Sequence, residues 1–266
     1  MRPLRCFALL CLVALSACRT TRKKIEPPPG PTEFEEGLDA EAEEAGFASE
    51  AVSFARGWHV GGESVEGREL RYWSSGGEGE AVLLIATIHG DEHAGTPLCE
   101  RLVGELEQRP SWAAQRRVIV VPVANPDGYA AEERENAHGI DLNRNFPSGN
   151  FAASEEHGAA PLSEPESRFL HELVLAFDPV RVMSIHQPVN LIDWDGPGEE
   201  LARALAEAVD MRARRLGSRP GSFGSWVGLD LETPILTVEL PGGAQRLASE
   251  DLWARYGALM RGMVRG

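Results

Sequence analysis

The sequence predicts an α/β domain with a mixed, mostly parallel central sheet flanked by helices, and three observations carry that prediction. Residues 82–88, 118–123, 180–186 and 235–241 are short apolar runs, the pattern of strands covered on both faces. Between the first two runs, residues 95–108 place Leu98, Leu102, Val103 and Leu106 at helical spacing. Strand, helix, strand in that order is the βαβ unit of a parallel or mixed sheet. The third observation is size, since 266 residues with 42% apolar content favour one large body with additions.

The additions are at the front. Arg2 and Arg5 form a basic start, and residues 6–15 are an apolar stretch too short to span a bilayer comfortably. This reads as an export signal over residues 1–17. Its end, Leu15-Ser16-Ala17-Cys18, is similar to the bacterial lipobox, in which cleavage before the cysteine leaves Cys18 to carry lipid; an ordinary secretory signal with a chance cysteine is the alternative. Cleavage removes Cys6 and Cys11 and leaves Cys18 and Cys99, so an acylated Cys18 excludes a disulfide. Losing Arg2 and Arg5, with no acid in that segment, takes the formal charge from −15 to −17. Such a chain repels nucleic acid and gains nothing from an anionic membrane surface, so its membrane contact is expected through the lipid anchor.

Residues 18–50 hold a basic start, Pro27-Pro28-Pro29-Gly30-Pro31 and an acidic run from Glu33 to Glu44. Low hydrophobicity with prolines and like charges predicts a disordered tether, which as a flexible coil spans roughly 30 Å. A helix over residues 35–47 is the competing reading. The folded domain is expected over residues 51–266. In it, residues 62–70 read as a turn feeding a strand through Trp73, followed by a glycine turn at 76–79. Asn125-Pro126-Asp127-Gly128 is turn chemistry, and the polar stretch from there to Phe151 lacks periodicity, which in a compact domain points to function. Helices are expected over residues 166–177, 199–215 and 249–264, with a Gly/Ser-rich loop after the second.

Ligands of open α/β sheets bind beyond the carboxyl ends of the strands. Three apolar runs lead to His89 with Glu92, to His186, and to Glu239, which places all four groups on one rim. Two imidazoles and a carboxylate with an open fourth position are a zinc set, whereas calcium or magnesium prefer all-oxygen shells. His89 and Glu92 alone are a weak signal. His93, four residues after His89, is a rival ligand if the segment is helical; the strand-end context and His186 favour Glu92, with His93 beside the site.

His89-Gly90-Asp91-Glu92, Asn125-Pro126-Asp127-Gly128, Asp141-Leu142-Asn143-Arg144-Asn145-Phe146-Pro147, Ser184-Ile185-His186 and Thr237-Val238-Glu239-Leu240-Pro241 together resemble the zinc metallocarboxypeptidases. The order and spacing are similar to those of the murein peptide amidase branch, which cuts the γ-D-glutamyl bond to diaminopimelate in cell-wall peptides. The resemblance covers nearly everything from Gly62 onward. It implies a zinc-carboxypeptidase-like fold and one zinc ion held by His89, Glu92 and His186. It further implies Glu239 as general base, Arg144 with Asn143 as the binder of the substrate's free carboxylate, and Arg134 as the stabiliser of the oxyanion. Asp141 is expected to be a turn or supporting residue.

One departure stands out. Pancreatic-type relatives carry a mobile tyrosine some twenty residues before the glutamate, and residues 220–226 here contain none. Ser222, Phe223, Ser225 and Trp226 are the candidates for the specificity pocket, with Trp226 equally suited to the core. The expected enzyme is therefore a monomeric zinc amidase or carboxypeptidase of the bacterial envelope, on the periplasmic side and anchored to the outer membrane. Its expected substrate is a murein peptide or another peptide with a free carboxylate. The alternatives are a carboxypeptidase on ordinary peptides, a deacylase of the succinylglutamate desuccinylase type, and a non-catalytic zinc-dependent binder.

Overall fold

The computed structural model describes residues 52–265. The export signal expected over residues 1–17, Cys18 and the tether expected over residues 18–50 lie outside the described residues. The four apolar runs form four adjacent parallel strands: β3 (Glu80–Ala86), β4 (Arg116–Val121), β5 (Arg181–His186) and β8 (Ile235–Pro241). They sit inside an eight-stranded sheet of order β1-β2-β4-β3-β5-β8-β6-β7. At one edge β2 (Glu69–Ser74) runs antiparallel to β4 and carries β1 (Gly57–Glu63). At the other, β6 (Val189–Asp195) runs antiparallel to β8, and β7 (Arg212–Ala213) pairs with it in parallel.

Alternate strand residues feed two separate cores. Val82, Leu84, Val118, Val120, Met183 and Leu236 face α1 (Gly95–Gln108), α4 (Glu199–Ala208) and α5 (Ser249–Arg265). Leu83, Ile85, Ile119, Val121, Val182 and Ile235 face α3 (Pro165–Phe177) together with Phe146, Phe223 and Trp226. Burial on both faces is why these strands read as continuous apolar runs rather than alternating ones.

The structure differs from the sequence reading in four places. The helix expected over 199–215 stops at Ala208, because Asp210 adopts φ 53° and Arg212–Ala213 is recruited to the edge of β6. The Asn125-Pro126-Asp127-Gly128 turn is the start of a helix, α2 (Pro126–Ala131): Asn125 Oδ1 accepts the Gly128 N–H at 2.9 Å and Pro126 fills the first helical position. The Gly/Ser-rich loop contains a π-helical turn over Ser225–Asp230. Strands β1, β6 and β7 have no counterpart in the apolar runs: β1 is half exposed and glycine-rich, β6 carries an asparagine and two aspartates, and β7 has two residues.

His171 on α3 lies against Trp226 with ring centroids 4.8 Å apart, and burial pushes its pKa from 6.5 down to about 4. Between those pH values the unfolded chain binds a proton that the folded chain refuses, so stability falls as pH drops from 6.5 to 4. The expected loss is about 3 kcal/mol at 1.36 kcal/mol per pH unit. Denaturation of His171→Phe and the parent across this range should show a shallower pH slope for the variant; parallel slopes would refute the assignment.

Candidate active site

The carboxyl ends of β3, β5 and β8 open into a cleft of about 220 Å³. After β3 the chain turns at Thr87, with φ 54°, and Thr87 Oγ1 is fixed by Thr96 Oγ1 at 2.8 Å. Gly90 then passes so close to the next loop that a Cβ there would lie 2.0 Å from the Gly128 carbonyl carbon. The Gly90 N–H donates to the Arg134 carbonyl at 3.1 Å. This backbone contact presents His89 and Glu92 to the cleft and brings Arg134 to its rim.

His186 ends β5 and faces the same point. His89 Nδ1 is 2.9 Å from Glu92 Oε1, His186 Nδ1 is 2.9 Å from Glu92 Oε2, and the two Nδ1 atoms are 3.2 Å apart. All three side chains are buried. On the far side of each ring stands a support: Asp141 Oδ1 lies 3.3 Å from His89 Nε2, and Ser184 Oγ is 2.8 Å from His186 Nε2. A proton on His89 Nε2 toward Asp141 leaves the Nδ1 lone pair aimed at Glu92 and His186. Two imidazole nitrogens and a carboxylate converging from the turn after β3 and the end of β5 are the donor set of a cation-binding site, and the oriented rings are what such sites use to fix their ligands. The three-residue group can therefore hold a metal ion.

Electrostatics follow from this crowding. Burial pushes the Glu92 carboxyl up, but His186 and His89 outweigh it and hold it well below the carboxylate range. Burial likewise opposes ionisation of Asp141, yet His89 and Arg134 hold it low. Burial pushes the His89 pKa down, but Asp141 and Glu92 outweigh it and raise it. Arg134 donates from Nη2 to Asp141 Oδ2 at 2.9 Å, and its Nη1 is 3.5 Å from Glu92 Oε1.

Glu239 pairs with His186 across β5 and β8, half-buried on the same face. Burial first, and the charge of Glu92 second, raise its pKa against the opposing pull of His186. The Val189 N–H contacts its Oε2 at 3.5 Å.

The far wall comes from the polar run. Asp141 starts a 3₁₀ turn, Leu142–Arg144, by accepting the Asn143 N–H at 2.9 Å. Asn143 Oδ1 accepts the Phe223 N–H at 3.0 Å, and the Phe146 N–H donates to the Gly221 carbonyl at 2.9 Å. Gly221, at φ 66°, comes so close that a Cβ would lie 2.0 Å from the Arg144 carbonyl oxygen. The Arg144 guanidinium lines the cleft, its pKa lowered by burial and by Arg134 and Arg219.

The structure thus gathers His89, Glu92, His186, Glu239, Arg134, Asn143, Arg144, Ser222 and Phe223 around one cleft. Ser225 and Trp226 stand behind its wall. Ser225 Oγ donates to the Arg219 carbonyl at 2.7 Å, and Trp226 stacks on Phe146 in the core. His93 turns away to pack on Tyr129, with centroids 4.5 Å apart. Sequence reasoning missed Asp193, Asp195, Ser218 and Arg219, which also line the cleft. The available signal was in Leu191-Ile192-Asp193-Trp194-Asp195, where a period of two puts acids on alternate positions of an otherwise apolar segment.

Comparison with known proteins agrees with this architecture. Residues 49–195 match the zinc carboxypeptidase family. The chain is 34% identical over 232 residues to murein peptide amidase A of Escherichia coli strain K12, covering 80% of this chain and 93% of that one. It is 30% identical over 228 residues to the protein of that name in Vibrio campbellii, covering 75% and 86%. The crystal structure of the murein-tripeptide amidase of Escherichia coli O157 superposes with a TM-score of 0.66 at 30% identity, covering 82% of this chain and 96% of that one. Carboxypeptidase A of Helicoverpa armigera, at 19% identity, 86% and 79% coverage and the same TM-score, shares the fold. The chain belongs to the zinc carboxypeptidase family of hydrolytic enzymes.

Proposed function

We propose that this enzyme hydrolyses the γ-D-glutamyl bond to diaminopimelate in murein peptides, using one zinc ion held by His89, Glu92 and His186. The observation that carries the reading is the placement of an arginine anchor, Arg144, in the same small cleft as the ligand set and Glu239. Such a cleft takes the end of a chain with a free carboxylate, and the murein peptide amidase relatives direct attention to cell-wall peptides. Bound there, zinc supplies a Lewis acid that polarises the scissile carbonyl and acidifies water toward a pKa of about 7.

The protein's own groups do the rest. Arg144 grips the terminal carboxylate with its planar fork, steadied by the Asn143 loop. Glu239 removes a proton from the attacking water and delivers it to the amine nitrogen as the amide C–N bond breaks. Its raised pKa suits both halves of that task. Arg134, anchored by Asp141, faces the negative charge that develops on the carbonyl oxygen.

The test is incubation of the zinc-loaded enzyme with L-alanyl-γ-D-glutamyl-diaminopimelate, an α-linked peptide with the same last residue, and N-succinylglutamate. Release of diaminopimelate from the first is expected; cleavage of only one of the others would overturn the bond assignment. For location, we propose a lipid on Cys18 that holds the enzyme in the bacterial envelope, on the periplasmic face of the outer membrane. Cys18→Ser should move it from the detergent-extracted to the soluble fraction, and an unchanged distribution would remove the anchor.

A further inference from the structure

The opposite end of the sheet holds a second cavity, of about 440 Å³, that shares no residue with the cleft. Glu80, Arg116 and Arg181 are the first residues of the parallel strands β3, β4 and β5, and all three line it. His186 stands at the other end of β5, roughly 16 Å from Arg181 at 3.3 Å per residue. Parity sets the direction of the three side chains. Val82, Val118 and Met183 enter the core beneath α1, α4 and α5, so Glu80, Arg116 and Arg181, two residues before them, point to that same side of the sheet. There α4 covers them with Glu200, Leu201 and Ala204, while Val180, Pro197 and Pro234 complete the wall.

The two arginines are served differently. Arg116 Nη1 donates to Glu80 Oε2 at 2.6 Å, which commits that carboxylate. Arg181 is only 8% exposed, and among the described residues neither its Nε nor its Nη2 has a hydrogen-bond partner. These two nitrogens form one edge of the guanidinium, the edge that meets both oxygens of a carboxylate in parallel hydrogen bonds. Burial and the charge of Arg116 push the Arg181 pKa down to about 10, against the pull of Glu80, so the group is still a cation at neutral pH. A buried cation with unsatisfied donors carries a desolvation cost that an anion in the cavity would offset.

The walls narrow the class of anion. Glu80 and Glu200 line the cavity along with the two arginines, so its formal charges cancel, and a dianion such as phosphate would add more negative charge than Arg181 alone offsets. A carboxylate brings one charge. The apolar surface offered by Val180, Leu201, Ala204 and the two prolines suits a ligand with an aliphatic body. We propose that this cavity binds a small aliphatic carboxylate, its two oxygens on the Nε–Nη2 edge of Arg181 and its carbon chain between α4 and Pro234. The site stands apart from the murein reading, because it uses none of the residues of the cleft.

The test is a calorimetric titration of the zinc-loaded full chain with butyrate, and with butyramide as its uncharged match in shape. The parent should take up two equivalents of butyrate, one in the cleft at Arg144 and one at Arg181. Butyramide should bind the second site about a hundredfold more weakly, the scale of a buried charge pair losing one partner. Arg144→Met should retain the equivalent at Arg181, whereas Arg181→Met should lose it and keep the one in the cleft. Arg181→Lys preserves the charge without the planar fork, so it should bind the second equivalent about tenfold more weakly, and it decides the matter if Arg181→Met does not fold. Loss of all saturable binding in Arg144→Met, or the parent's stoichiometry and affinity in the Arg181 variants, would overturn the proposal.

Discussion

Glu239→Gln is expected to lower kcat by about 10³-fold, within the range general acid–base groups contribute, while leaving zinc content and KM close to those of the parent. Glutamine has the same shape and keeps an oxygen for the Val189 N–H, so the fold around β8 has no reason to change. What it lacks is a site for the proton in transit between water and amine. Burial and the neighbouring Glu92 already raise the Glu239 pKa, so at neutral pH the carboxylate is a stronger base than an exposed one. A variant retaining more than a tenth of the parent's turnover would remove Glu239 from the reaction. The same measurement separates an enzyme from a zinc-dependent binder, which would be indifferent to the change.

The second large effect is loss of the metal. Dialysis against a chelator should abolish hydrolysis, and one equivalent of zinc per chain should restore it where magnesium does not, because imidazole donors favour zinc. Binding to the folded state alone stabilises by about 2.7 kcal/mol at a hundredfold excess over Kd, which for a domain of this size raises Tm by roughly 5–10 °C. His186→Ala removes one of the two imidazoles and should eliminate both the activity and the zinc-dependent rise. Full activity in a preparation carrying less than a tenth of an equivalent of metal would sink the zinc assignment.

The extent to which the sequence announced this molecule follows physical lines. Strands covered on both faces must be apolar along their whole length, so β3, β4, β5 and β8 were legible, and α1 was legible to its ends. Strand β6 was not, because its inward positions serve a cleft rather than a core, and Asp193 and Asp195 disguise it as a loop. The helix α4 ends early because a two-residue pairing with β6 overrides the local preference of residues 209–215, information held by a strand twenty residues upstream. At the site, His89, Glu92, His186 and Glu239 were readable because short motifs fix them at strand ends. For Trp226 the sequence left pocket and core open, and the π-helical turn decides for the core by swinging it onto Phe146. Asp141 behaves as a supporting residue should: it is fully buried and contacts His89, Arg134 and the Asn143 N–H at once.

The close approach of Gly221 to Arg144 has a consequence for how this enzyme can change. The seam is main chain against main chain, so the span from the carboxylate anchor to Glu239 is a fixed gauge that side-chain replacements cannot reset. The acids of β6 belong to a different element and take no part in that seam. A lineage can vary the side chains around the cleft while the distance from anchor to base stays as the backbone sets it.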